Sequence, residues 1–278
     1  MMTAIIDVGG GNRAAFASGV FDCLMEKGVL ADFCIGVSAG AANCCSYVSG
    51  QAGRNIRFYT GYNFSPRAIG PIAWIRTGGS LVDLDYIYGT LSNRNGKCPL
   101  DIESYLASPV DAVFVATDAD TGEAVYFPKG ELSADSYGAI CASSAMPGAC
   151  RPYSYRGRRY FDGYLSDPLP IEKALELGAD RIVVLLTLPK DHFRSGKADA
   201  AAARKMSKYP QAAKLQAGYA QLYNSKLRKA LQLEEEGRAL LLFPEGNHIA
   251  SLEKNRKKIQ ALYREGLESG LKAAAFLK

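Results

Sequence analysis

Short apolar runs alternate with longer amphipathic stretches over the first 50 residues. Residues 3–8 and 32–37 are short and apolar, which is typical of buried strands. Residues 13–27 carry apolar side chains at helical spacing, and residues 39–49 form a second helix-compatible stretch of small side chains. Because a helix then connects two strands, the pattern predicts a βαβ unit with parallel strands and a right-handed crossover.

The alternation continues along the rest of the chain. We predict further strands at residues 111–117, 123–127, 153–155, 159–161, 181–188 and 239–243. We predict further helices at residues 81–91, 133–144, 171–177, 197–236 (broken at Tyr209-Pro210) and 251–276. Alternating strands and helices favour an α/β fold with a mostly parallel sheet. We therefore expect an α/β domain of residues 1–189 and a mainly helical C-terminal extension of residues 190–278.

Composition agrees with a globular protein. The chain has 278 residues, of which 48% are hydrophobic and 22% charged. Its seven cysteines are odd in number and lie mostly in apolar runs, so we expect free buried thiols and a reducing compartment. The N-terminus has no signal-peptide pattern, and no run of about 18 apolar residues occurs. We expect a soluble, cytoplasmic protein that contacts membranes at most peripherally.

The charge is mildly basic, with a formal net charge of +5. Residues 190–229 contain ten basic and two acidic residues. We interpret this stretch as solvated helix surface, and contact with an anionic membrane as the alternative. Trp74 lies in the irregular region before residue 108, where we favour burial in the core over a role in a lid. No nucleic-acid motif is present, so we expect no nucleic-acid partner.

A candidate nucleophile follows the second strand directly. Gly36-Val37-Ser38-Ala39-Gly40 matches the pattern G-x-S-x-G. In that pattern a serine sits on a tight strand-to-helix turn, small neighbours allow close chain approach, and the helix N-terminus stabilises negative charge. The alternative is an ordinary turn with a helix-capping serine.

A glycine loop follows the first strand. Successive glycines at Gly9, Gly10 and Gly11 allow backbone N–H groups to converge on an anion. The loop suits either a nucleotide phosphate or the oxyanion of an acyl-transfer reaction. We favour the oxyanion hole, because Ala14 stands where a dinucleotide motif requires glycine and the next strand leads to Ser38.

Two kinds of residue could act as the base that activates Ser38, a histidine or an aspartate. His192 and His248 are the only histidines, and each lies in a polar setting typical of the surface. A triad through either would need an α/β-hydrolase order of strands, which this chain does not have room for before Ser38. The alternative is Asp162, which ends a strand before Gly163 in a tight turn that we expect to be exposed. The remaining candidates read as turn or cap residues: Asp118, Asp120 and Asp167.

These motifs together resemble the signatures of patatin-like phospholipases. The resemblance rests on Gly9-Gly10-Gly11-Asn12-Arg13, the Ser38 motif and Asp162-Gly163, in that order. Residues 83–86, 116–122, 142–147, 180–184, 209–210 and 223–224 and the final helix extend it to the bacterial branch with a helical C-terminal extension. Ala14 and Tyr164 depart from the pattern, because the family usually has glycine after the arginine and glycine or alanine after Asp-Gly.

The resemblance implies a fold, a site and a chemistry. The fold would be a three-layer sandwich with a mostly parallel central sheet. Residues 1–189 would form the patatin-like α/β hydrolase domain, and residues 190–278 the mainly helical extension. Ser38 and Asp162 would form a catalytic dyad without histidine, metal or cofactor. The remaining site residues would be an oxyanion hole and the glycines of the elbow and acid loop: Gly9, Gly10, Gly11, Arg13, Gly36, Gly40 and Gly163. We expect Arg13 to hold the glycine loop, with attraction of a lipid phosphate as its alternative role.

Four functions fit these residues. The first is hydrolysis of lipid acyl esters by a phospholipase A or lysophospholipase. The second is a small-ester esterase or thioesterase with the same dyad, and the third is an acyltransferase in which an alcohol replaces water. The fourth is a non-catalytic lipid-binding protein, for which Tyr164 beside the acid is the best support.

Overall fold

A central sheet organises the chain. The computed structural model describes residues 1–246 and 248–278, and in this part of the chain eight strands form one sheet in the order β5-β6-β3-β2-β1-β7-β8, with β4 paired to β3. The strands are β1 (Thr3–Asp7), β2 (Phe33–Val37), β3 (Asp111–Asp118), β4 (Ala124–Pro128), β5 (Tyr153–Tyr155), β6 (Arg158–Asp162), β7 (Arg181–Leu185) and β8 (Ala239–Leu242). Strands β1, β2, β3, β7 and β8 are parallel, and β4, β5 and β6 run antiparallel to their neighbours.

Helices connect and cover the strands. They are α1 (Ala15–Glu26), α2 (Ala39–Val48), α3 (Arg54–Thr60), α4 (Pro71–Arg76), α5 (Ile102–Ala107), α6 (Gly138–Ser143), α7 (Ile171–Glu176), α8 (Asp199–Arg204), α9 (Pro210–Ala217), α10 (Tyr219–Glu235) and α11 (Arg256–Leu277). A 3-10 turn (Gly11–Ala14) precedes α1, and a π-helical segment (Asp85–Thr90) lies between α4 and α5.

Two hydrophobic cores lie on opposite faces of the sheet. Along β1, Ile5 packs into the core that also contains residues of α1, α2 and α11, whereas Ala4 and Ile6 pack into the core that contains residues of α7 and α10. Adjacent side chains of a strand point to opposite faces, so both faces of β1 are covered by helices. The result is a three-layer α/β sandwich with a mostly parallel sheet and a helical C-terminal part, which confirms the predicted fold class.

The region after residue 190 joins the first part through shared structure. Strand β8 pairs in parallel with β7, and α11 packs against α1. A side chain on Gly266 would overlap the Phe16 carbonyl oxygen, and one on Gly19 would overlap the Tyr263 carbonyl oxygen. Glycines on both helices therefore let α1 and α11 approach to backbone contact.

Several elements differ from their predicted form. The stretch predicted as helical over residues 197–236 with a break at Tyr209-Pro210 is three helices: α9 begins at Pro210, as predicted, and a second break at Gly218 separates α9 from α10. The helix predicted at residues 133–144 is reduced to α6, and the last helix begins at Arg256, where the Asn255 side chain accepts the amide hydrogens of Lys257 and Lys258.

Two expectations about burial have separate outcomes. All seven cysteines are free and buried, as predicted. The preference for burying Trp74 was wrong: Trp74 is 53% exposed on α4, between Ile72 (50%) and Ile75 (71%). This six-residue helix buries only Ala73, so its large apolar side chains have no core to enter.

The α1–α11 contact predicts a sensitive glycine. In Gly266→Ala the new methyl group meets a backbone carbonyl that cannot rotate away, so the helices must separate. We expect a loss of about 2 kcal/mol and a fall in Tm of about 4–8 °C.

The matched control is Gly130→Ala, an exposed glycine with no described heavy atom within 4 Å of the added methyl group. Thermal unfolding followed by circular dichroism measures both variants. Equal Tm values for the two variants would contradict the close packing of α1 on α11.

Candidate active site

Two strands meet end to end beside Ser38. On one edge of β3, Val37 of β2 pairs with Val115, and Asp162 of β6 pairs with the next residue, Ala116. The other edge of β3 is occupied by β4. Because β6 runs antiparallel to β2, the carboxyl ends of the two strands face each other, and Ser38 and Asp162 are brought together where they meet.

Ser38 occupies a tight turn between β2 and α2. Its φ of 57° and ψ of −128° lie outside the ordinary regions for an L-residue, a conformation that costs on the order of 1–3 kcal/mol. A side chain on Gly36 would overlap the backbone of Ala41, and one on Gly40 would overlap the carbonyl oxygen of Asp7. Both glycines of the motif are thus required by close approach, and half-buried Ser38 stands at the N-terminus of α2.

Asp162 is buried rather than exposed, which corrects our expectation for the tight turn. It is 1% exposed, and its Oδ1 accepts the Tyr164 amide hydrogen at 3.1 Å. Burial raises the pKa of its carboxyl group to about 7, while hydrogen bonds from the Ser38 hydroxyl and the Tyr164 amide partly oppose the shift. A side chain on Gly163 would overlap the Val115 carbonyl oxygen, so this turn can pack on β3 only with glycine.

The glycine loop presents two of its amides for a ligand. The Gly9 amide donates to Asp7 Oδ1 (2.9 Å), and the amides of Asn12 and Arg13 donate to backbone carbonyls. The amides of Gly10 and Gly11 have no hydrogen-bond acceptor among residues 1–246 and 248–278. Since Gly9 is already engaged, Gly10 and Gly11 are the loop's candidate oxyanion donors.

A buried polar network beneath the loop was missed by the sequence analysis. Asp7 Oδ2 accepts a hydrogen bond from Asn43 (2.8 Å), whose Oδ1 accepts one from the Tyr59 hydroxyl (2.9 Å). Burial raises the pKa of the Asp7 carboxyl group to about 7, against the lowering effect of hydrogen bonds from Asn43 and Gly9. The available signal was a carboxylate at the end of an otherwise apolar strand, a position that must be hydrogen-bonded when buried.

Arg13 connects the glycine loop to the chain before α11. Its Nε donates to the Ile249 carbonyl at 2.9 Å, and the Asn12 amide donates to the Ser251 carbonyl at 2.8 Å. These contacts agree with a role for Arg13 in holding the loop. Arg13 also lines the cavity described next, so it is available to a ligand as well.

Ser38 and Asp162 open into a cavity of about 630 Å³. Part of its wall is apolar and includes Ile69, Val82, Leu84, Ile87 and Met146. A cavity of this size is typical of sites for small organic ligands. The cavity lies at the carboxyl ends of the parallel strands, where α/β sheets commonly bind ligands.

Tyr164 joins the acid loop to the C-terminal helices. Its hydroxyl donates to Gln216 on α9 (3.1 Å), and its ring meets Tyr219 on α10 edge to face, with centroids 5.2 Å apart. The departure from the family pattern therefore supplies a contact with the C-terminal extension, and the serine and the acid remain in contact beside it.

The other candidate residues lie elsewhere. His192 and His248 are exposed, and neither lines the cavity. Asp118 accepts the amide hydrogens of Asp120 and Thr121, which agrees with its interpretation as a turn residue. Asp167 pairs with Lys226 at 2.9 Å. Residues 1–246 and 248–278 contain no cluster of three His, Cys, Asp or Glu side chains arranged to hold a metal ion.

Parts of this chain are similar in sequence to known proteins. It is 31% identical to the uncharacterized protein YjjU of Escherichia coli over 194 residues, which cover 68% of this chain and 53% of YjjU. It is 38% identical over 77 residues to the uncharacterized NTE family protein Rv1063c of Mycobacterium tuberculosis, which cover 28% of this chain and 20% of that protein. The chain thus spans about half the length of the first relative and about a fifth of the second.

A solved structure shares the fold. The crystal structure of VipD from Legionella pneumophila superimposes on 99% of this chain and 67% of VipD, with a TM-score of 0.50 and 13% sequence identity. At that identity the similarity concerns the fold alone.

No helix among the described residues is long and apolar enough to span a membrane.

Family models match most of the chain. Residues 209–277 match a domain of unknown function, DUF6363, and residues 8–175 match the patatin-like phospholipase model, which includes Ser38, Asp162 and the glycine loop. The predicted resemblance is confirmed: the chain belongs to the patatin-like phospholipase family.

Proposed function

We propose that the protein is a serine lipid-acyl hydrolase that cleaves carboxylic esters of phospholipids or lysophospholipids. One observation carries the proposal: Ser38 and the buried acid Asp162 lie side by side in the wall of a cavity that is largely apolar. Family membership supports lipid acyl hydrolysis in general. The identity of the dyad and the substrate are our own inference.

The chemistry uses residues already in contact. Asp162 accepts the Ser38 proton as Oγ attacks the ester carbonyl, and collapse of the tetrahedral intermediate expels the alcohol, which takes that proton, and leaves an acyl-serine. Water, deprotonated by Asp162, then releases the fatty acid and restores Ser38. The amides of Gly10 and Gly11 would stabilise the oxyanion, an interaction worth about 3 kcal/mol for one donor in other enzymes.

The pKa of Asp162 suits this role. An ordinary aspartate, with a pKa of 3.8, holds a proton too weakly to remove one from a serine hydroxyl effectively. Burial raises the pKa of Asp162 to about 7, so near neutral pH it is a stronger base of which about half is ionised. No histidine is needed for this step.

The cavity favours a long acyl chain over a small ester. Each CH2 group buried against its apolar wall is worth about 0.8 kcal/mol. A small-ester esterase or thioesterase would not use this wall, so a rise in kcat/KM with chain length supports the lipid substrate. The contact between Ser38 and Asp162 beside Tyr164 argues against the non-catalytic alternative.

A lipid surface is the partner we propose for α4. Ile72, Trp74 and Ile75 are at least half exposed there, and the helix lies between Ile69 and Val82, which pair with each other and line the cavity. The basic stretch at residues 190–229 fits less well, since Lys190 pairs with Glu234 and Lys226 with Asp167 and Glu172. An apolar patch flanked by two residues of the cavity wall would let a lipid pass from a bilayer toward Ser38.

The dyad is tested by ester turnover across acyl chain lengths with p-nitrophenyl esters. We expect Ser38→Ala and Asp162→Asn to lower kcat by a factor of at least ~10³ while the circular dichroism spectrum stays unchanged. The matched control is the double variant His192→Ala/His248→Ala, which should keep wild-type turnover.

Loss of activity in the histidine double variant would overturn the dyad and point to a triad. Wild-type turnover in a folded Ser38→Ala protein would overturn the nucleophile. If wild type itself turns over no ester, even with anionic vesicles present, the non-catalytic lipid-binding function replaces our proposal.

The buried acid also predicts a pH-dependent stability. Because the folded-state pKa of Asp162 (about 7) exceeds the unfolded value near 3.8, its stabilising contribution is complete below pH 3.8 and is lost as pH rises to about 7. Asp162→Asn cannot ionise, so its Tm relative to wild type should be higher at pH 8 than at pH 5, by ~5 °C.

Asp191→Asn, at an exposed position, is the control and should show no such change between the two pH values. Differential scanning calorimetry at pH 5 and pH 8 measures both variants. The same Tm difference for Asp162→Asn at both pH values would contradict a carboxyl group whose pKa is raised by burial.

Membrane contact is tested by co-sedimentation with anionic and neutral vesicles at low salt. We expect wild type to bind anionic vesicles, and Trp74→Ser to lose most of the bound fraction because the bilayer no longer buries the indole ring. Leu106→Ser changes a residue of similar exposure (50%) on α5 and should bind like wild type. Wild type that binds neither kind of vesicle, or equal losses in the two variants, would contradict the proposal, and a preference for anionic vesicles that both variants keep would point to the basic stretch instead.

A further inference from the structure

Arg194 is held in one place by the C-terminal helices. It lies between β7 and α8, and its backbone N–H and C=O both bond to the Asn224 side chain, at 2.8 and 2.9 Å. Its guanidinium carbon lies 4.9 Å from the ring centroid of Tyr219 and 5.0 Å from that of Tyr223. A loop residue with two backbone bonds and two aromatic contacts loses little further freedom when it binds a ligand.

Arg194 has no anionic partner in the described part of the chain. Its Nε is buried without a hydrogen-bond acceptor, and no described carboxylate forms an ion pair with it. Two other cations of residues 190–229, Lys190 and Lys226, pair with glutamates, and what distinguishes Arg194 is its buried Nε without an acceptor. A buried guanidinium N–H without an acceptor costs free energy, which a bound anion would recover.

Arg194 lines the same cavity as Ser38 and Arg13. Arg13 also forms no ion pair among the described residues, and its pKa is lowered by burial and by the charge of Arg194. The carboxylate of Asp199 lines the cavity too, but its Oδ2 accepts the Ala220 amide hydrogen at 2.8 Å. Arg13, Arg194 and the exposed Lys205 are thus three cations without an ion pair among the described residues, in a cavity that holds two carboxylates, Asp162 and Asp199. The rest of the cavity wall is largely apolar.

We propose that Arg194 binds the anionic phosphate of the substrate head group, so that the C-terminal extension selects phosphate-bearing lipids over neutral acylglycerols. Guanidinium groups bind phosphate oxygens through two parallel N–H···O bonds, and stacking on aromatic rings holds the guanidinium plane in place. The acyl chain would occupy the apolar wall. The proposal rests on the proposed function for the lipid, but the binding it predicts needs no hydrolysis.

The experiment measures binding of octyl phosphate, which has no carboxylic ester, by isothermal titration calorimetry below its micelle concentration. Octyl glucoside serves as the neutral amphiphile and inorganic phosphate as the free anion. We expect wild type to bind octyl phosphate more tightly than either of these. Arg194→Gln should weaken octyl phosphate binding about tenfold and leave octyl glucoside unaffected.

The matched control is Arg228→Gln. Arg228 also belongs to the extension and stacks on an aromatic ring, with its guanidinium carbon 5.3 Å from the Phe193 ring centroid, but it does not line the cavity. It should bind octyl phosphate like wild type. An equal loss in both variants, no loss in Arg194→Gln, or an equal loss for octyl phosphate and octyl glucoside would overturn the assignment.

Two further outcomes separate the sources of the anion and the two proposals. If inorganic phosphate binds as tightly as octyl phosphate, the site takes a free anion and the head-group assignment is overturned. If the binding pattern holds while wild type hydrolyses no ester, the Arg194 site stands and the proposed function alone fails.

Discussion

The candidate active site depends on how strands share one edge of β3. β2 occupies that edge as far as Val115, and β6 takes it over at Ala116 from the opposite direction. A chain that pairs this way must turn away at the end of both strands, and the two turns carry Ser38 and Asp162. The distance between the serine and the acid is thus set by backbone hydrogen bonds of the sheet, which are far stiffer than contacts between loops.

This arrangement lowers the free energy of unfolding, because it contains backbone strain and buried carboxyl groups. Ser38 has a positive φ, and the ionised forms of Asp7 and Asp162 are disfavoured by burial. Glycines in both turns and in the loop are needed because a side chain at Gly9, Gly40 or Gly163 would strike a backbone carbonyl. Strain and buried charge of this kind persist only where surrounding structure over-determines them, and here the helices packed on both faces of the sheet do so.

The C-terminal extension completes the cavity as well as the core. The Ser251 carbonyl accepts a hydrogen bond from the Asn12 amide beside the glycine loop, and Gln216 accepts one from the Tyr164 hydroxyl. Arg194, in the segment that follows β7, lines the cavity. The close contact of α11 with α1, through glycines on both helices, fixes this region against the sheet. In the proposed function, residues of the extension would select the substrate, whereas Ser38 and Asp162, which lie outside the extension, would carry out the hydrolysis.

The local pattern of the chain predicted the βαβ unit, the strands of the parallel sheet and the motifs around Ser38, the glycine loop and Asp162. Those features depend on neighbouring residues: apolar runs, helical spacing, and glycines where the backbone turns tightly. Tertiary structure decided the rest. The burial that raises the pKa of Asp162, the exposure of Trp74 and the position of Arg194 in the cavity each depend on residues far away in the chain, which no local pattern records.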